Sequence, residues 1–82
     1  MTKGDLYKTP TNQHRFVLGK TPTGDVAFAT RGEHPNPDYN HCQLQPPDKF
    51  LQESSLARKE STEETARVME KFANYISANR VA

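Results

Sequence analysis

Between residues 14 and 31 the chain reads HRFVLGKTPTGDVAFATR, two apolar-rich runs on either side of Thr21-Pro22-Thr23-Gly24-Asp25. Pro22 has its φ already set for the first turn position, and Gly24 can take the left-handed exit, so the pattern predicts a hairpin with a type I turn and a glycine bulge. With Thr21 opposite Asp25, strict alternation pairs Leu18 with Phe28 and Phe16 with Thr30. Phe16, Leu18, Val26 and Phe28 are then expected on one apolar face, with Arg15 and Arg31 directly opposite each other outside it.

Shorter patterns flank the hairpin. Gly4-Asp5-Leu6-Tyr7-Lys8 reads as a strand with Leu6 or Tyr7 facing inward, stopped by Thr9-Pro10-Thr11-Asn12. Residues 33–40, EHPNPDYN, read as an exposed loop able to carry binding residues. His41-Cys42-Gln43-Leu44-Gln45 reads as a strand with Cys42 and Leu44 on one face. Asp48-Lys49-Phe50-Leu51 reads as one helical turn. Residues 53–60, ESSLARKE, are left as a linker or an early helical turn. From Ser61 the period changes: Ser61 and Glu64 have capping-box spacing, and Val68, Met69, Phe72, Tyr75 and Ile76 recur at helical intervals. A single amphipathic helix is expected over 61–79.

The fold class that follows is α+β: a small, bent antiparallel β-sheet of about four strands and one C-terminal amphipathic helix. Residues 1–60 form a barrel-like region and 61–79 the helix of the same single domain. With 82 residues there is one small domain. Hydrophobic residues make up 33% of it, a polar balance that leaves room for a partner, or a second copy, to cover part of its apolar surface.

Charge and chemistry narrow the function. Eleven basic and ten acidic residues give a net charge of +1 with no basic stripe, which argues against a dedicated DNA coater. One cysteine, no signal peptide and no transmembrane run point to a cytoplasmic protein. His34, His41 and Cys42 lack a second paired cluster, and adjacent strand residues face opposite ways, so neither a metal site nor a Cys–His nucleophile is expected. No cofactor motif and no catalytic residues emerge. Asn36-Pro37-Asp38-Tyr39 matches a tight-turn pattern read by phosphotyrosine-binding-type domains.

With the strands placed, the chain resembles a loose group of small SH3-like β-barrel proteins of bacteria and phages. The likeness rests on Gly4-Asp5-Leu6-Tyr7, on Val17-Leu18-Gly19, and on the closing Pro47-Asp48-Lys49-Phe50-Leu51-Gln52-Glu53. It covers residues 4 to 53, and Gln45 and Pro46 stand where such proteins carry an aromatic residue. The resemblance implies an SH3-like fold and a phage or prophage origin, and no catalytic residue. The leading reading is therefore a non-enzymatic protein–protein interaction module, an inhibitor or modulator of a host complex. It would bind another protein, or itself as a homo-oligomer, through Met69, Phe72, Tyr75, Ile76 and the loop residue Tyr39. The alternative is a weak nucleic-acid binder using Arg15, Lys20 and Arg31 on the hairpin.

Overall fold

In the computed structural model, which describes residues 1–32 and 38–82, the chain is α+β. Five strands, β1 (Asp5–Lys8), β2 (His14–Lys20), β3 (Val26–Arg31), β4 (Asn40–Gln45) and β5 (Ser55–Lys59), form one antiparallel sheet in the order β4-β3-β2-β1-β5. The sheet is open, with β4 and β5 at its two edges, and does not close into a barrel. Helix α1 (Pro47–Glu53) connects those edges, and α2 (Thr62–Lys71) and α3 (Ala73–Ala78) follow. No helix among the described residues is long and apolar enough to cross a membrane.

The hairpin turn forms as its residues dictate. The Thr21 amide donates to the Asp25 carbonyl (2.9 Å), the Gly24 amide to the Thr21 carbonyl (2.9 Å), and Gly24 has φ +89°. Beyond the turn, the expected register fails. Lys20 pairs with Val26 and Gly19 with Ala27, but Val17, not Leu18, pairs with Phe28. Leu18 is the extra residue of a β-bulge beside Gly19, whose φ of +143° only glycine adopts readily. A one-residue slip exchanges the faces of everything upstream.

The four residues expected on one face are therefore divided between two. Phe16 and Leu18 join Leu6, Ala27, Ala29, Tyr39 and Val68 in a cluster beneath α2 and α3. Val26 and Phe28 join Tyr7 and Val17 around Phe50 of α1 on the other side. The Phe50 ring lies 4.9 Å from that of Tyr7 and 5.0 Å from that of Phe28. Leu6 and Tyr7 both face inward, on opposite sides, because both faces of the sheet are covered.

The C-terminal segment is two helices rather than one. Ser61 caps α2, its hydroxyl accepting the Glu64 amide at 3.1 Å, but the Glu64 carboxylate binds Arg67 instead of reaching back. The helical path breaks at Phe72 (φ −107°, ψ 22°) before α3. Past α3 the chain returns to β2: Lys20 and Ala82 exchange main-chain hydrogen bonds of 3.0 and 2.9 Å. A Cβ on Gly19 would stand 2.7 Å from the Ala82 carbonyl oxygen, so this bulge glycine also lets the C-terminal segment dock.

Candidate interaction edge

The residues singled out from the sequence occupy very different settings. Met69, Phe72, Tyr75 and Ile76 are all half-buried against the Leu6–Phe16 cluster, so much of their apolar stripe is spent on the protein's own sheet. Tyr39 is not an exposed loop residue. It is 1% exposed, its ring is 5.4 Å from Phe16, and Arg31 sits 5.1 Å over it. Lys71 holds its carbonyl with a 2.7 Å hydrogen bond. Burial pushes its hydroxyl up to about 12, against the opposing pull of Arg31. His34 and the first part of the Asn36–Tyr39 turn pattern lie outside the described residues.

Arg15 and Arg31 are not opposite one another. Arg15 pairs with Thr30 and Arg31 with His14, and the two guanidinium groups lie on different faces. Arg15 is 8% exposed and inside the α1 face, where it donates to Gln13 (3.1 Å), Gln45 (3.3 Å) and Glu53 (3.1 Å). It also sits 4.9 Å over the Phe28 ring and 5.6 Å over that of Phe50. The hydrogen bonds from Gln45 and Arg15 hold the Glu53 carboxyl below its ordinary range. Arg15 thus fastens α1 to β2 and β4, while Lys20 stands exposed at the far end of the hairpin. The hairpin presents no common basic surface built from these three side chains.

Cys42 and Leu44 do share the helix-bearing face. Burial pushes the Cys42 thiol up to about 11, with Lys71 pulling the other way, so it is a poor nucleophile at neutral pH. His41 has φ +53°, at a bulge where β4 slips against β3. Among the described residues, no three histidine, cysteine or acidic side chains come together to hold a metal ion.

The surface with the most unspent binding capacity lies in residues 53–60, expected as a linker or an early helical turn and found instead to hold strand β5. Every residue of β5 is exposed, and among the described residues its outer edge carries no neighbouring strand. Leu56 is 59% exposed on the α1 side of the sheet, opposite Tyr7. On the other side, a groove of about 540 Å³ opens between the N-terminal residues Thr2 and Lys3, the end of β5, and the α2 residues Thr65, Ala66 and Met69. Its wall on α2 combines Thr65 and Ala66 with the part of Met69 that its packing against the sheet leaves uncovered. Gly4, at φ +91°, keeps the groove shape, since a Cβ there would meet Thr65 Oγ1 at 2.9 Å.

Electrostatics give this edge a sign. Lys3, Lys8, Arg58 and Lys59 stand in or beside β5, against the carboxylates of Asp5 and Glu60. Arg58 pairs with Glu60. Lys59 bridges Thr2 (3.0 Å), the Lys3 carbonyl (2.9 Å) and Asp5 (3.4 Å), tying the N-terminal turn to β5. Burial raises the Asp5 pKa, but the Thr2 amide and Lys59 outweigh it and hold that carboxyl below its ordinary value. Among these six side chains, Lys3 and Lys8 are the excess of cations over carboxylates.

Only the tertiary pairing with β1 reveals this site. A lone Leu56 in a charged octapeptide has neither strand nor helix periodicity, so no sequence signal marked it. Compared with protein-family models, with curated proteins and with solved structures, the chain matches none.

Proposed function

We propose that this protein is a non-enzymatic interaction module that binds a partner protein at the β5 edge and thereby inhibits or redirects the complex to which that partner belongs. The observation that carries the reading is a fully exposed edge strand with a central leucine, flanked by an apolar groove. Unpaired edge amides and carbonyls next to apolar surface are a recurring means of protein recognition. The half-spent helix stripe of Met69, Phe72, Tyr75 and Ile76 is a secondary candidate in the same reading, since each keeps part of its surface in water. Within this proposal the sheet is an SH3-like sheet left open. Its support is the four-strand meander, followed by the short Pro47–Glu53 helix and a fifth strand returning beside β1.

The test is affinity capture from lysate with three baits: the wild type, Leu56→Asp, and Leu44→Asp as a control on the opposite edge. Leu56 and Leu44 (39% exposed) both face water, so neither change disturbs the core, as far-UV circular dichroism will verify. At least one protein is expected on the wild-type and Leu44→Asp baits and absent from Leu56→Asp. Capture of nothing, or retention of every captured protein by Leu56→Asp, refutes the reading.

A further inference from the structure

We propose that the β5 edge and its groove take an extended, acidic segment of a partner protein as a sixth strand, with one apolar side chain of that segment seated in the groove. This rests on the interaction-module reading and specifies the partner's chemistry. A strand laid along Ser55–Lys59 sends alternate side chains to the two faces of the sheet. On the helix-bearing face the side chain next to Lys59 and Glu60 meets the groove wall of Thr65, Ala66 and Met69. On the other face a side chain further along the segment meets Leu56. Main-chain hydrogen bonds thus supply affinity, and two differently shaped receiving surfaces supply selectivity.

Charge decides the occupant. Arg58 and Lys59 of β5, with Lys8 of the adjoining β1 and Lys3 before it, stand against the carboxylates of Asp5 and Glu60, and Lys3, on the groove wall, has no carboxylate partner among the described residues. A second copy of the chain would bring the same excess positive charge against itself. Basic residues on the edge are one means by which proteins keep edge strands from pairing with their own kind. The same basic residues attract an acidic strand and orient it.

The probe is a capped, fluorescein-labelled heptapeptide, Glu-Val-Asp-Leu-Glu-Val-Asp. Its comparators are the analogue with lysine at every acidic position and an analogue N-methylated at alternate residues, which cannot complete a ladder. Binding is read by fluorescence anisotropy, and the site by amide hydrogen exchange. The acidic peptide is expected to bind at least about tenfold more tightly than either comparator. It should slow exchange within Ser55–Lys59, and lose about tenfold in affinity to Ala66→Phe, which fills the groove from the exposed side of α2. Lys3→Glu, on the exposed N-terminal turn, should weaken it similarly. Equal binding of the lysine peptide, protection of Asn40–Gln45 instead of β5, or no binding by any peptide overturns the inference. Protection of β5 that grows with protein concentration in the absence of peptide assigns the edge to a second copy and overturns it too. Each of these results leaves the capture experiment with Leu56→Asp to decide the broader reading separately.

Discussion

Replacing Arg15 tests whether this arginine is a fastener or a surface charge. In the structure its guanidinium donates to two glutamine side chains and one carboxylate and lies over two phenylalanine rings. In Arg15→Ala, two hydrogen bonds to neutral acceptors at about 1 kcal/mol each and two cation–π contacts at about 0.5 kcal/mol each are lost, about 3 kcal/mol in total. The ion pair with Glu53 is left out of this sum, because that carboxylate is open to water and screened. Arg15→Lys keeps the charge and much of the aliphatic stem but loses the planar fork, and should cost about half as much. With a urea m-value of about 1.2 kcal/mol/M for a domain of this size, Arg15→Ala moves the unfolding midpoint down by about 2.5 M and Arg15→Lys by about 1 M. Urea titration followed by circular dichroism measures both. A midpoint shift under about 0.5 M for Arg15→Ala is what a solvated surface arginine gives, and it would refute the claim that Arg15 holds α1 on the sheet.

Gly19→Ala forces a side chain into a φ of +143° and against the Ala82 carbonyl, and should cost about 2 to 3 kcal/mol in the same assay. Deleting Val81 and Ala82 first should relieve part of that cost, and additivity of the two changes would argue against the docked C-terminal segment. Cys42, with its thiol pushed up to about 11, should react with Ellman's reagent on the order of a hundredfold more slowly at pH 8 than a free cysteine, and at full speed once unfolded. Asp5 has a folded pKa below its ordinary 3.8, so its contribution to stability is present above that ordinary value and is lost as pH falls through the lower folded value. Lys59→Met should raise the Asp5 midpoint seen by carboxyl NMR, and the stability gap between the two proteins should close at the acid end of the titration. An unchanged midpoint would remove Lys59 from the bridge.

The sequence alone determined those elements whose cause is local. The Thr21–Asp25 turn follows from Pro22 and Gly24, the start of α2 from Ser61, and the apolar stripe of Val68, Met69, Phe72, Tyr75 and Ile76 from helical spacing. The α+β class follows from placing those pieces in order. The tertiary structure decided what depends on partners distant in the chain. An inserted Leu18 beside Gly19 sent Phe16 and Phe28 to opposite sides of the sheet, because a period of two carries no memory across a bulge. Tyr39 was drawn inward by the Phe16 ring and Arg31, and Arg15 by the acceptors on β4 and α1. The candidate site was the least legible part of all. Strand β5 is a strand only because the open edge of β1 offers it a ladder, and the groove exists only where α2 comes beside the N-terminal residues and the end of β5.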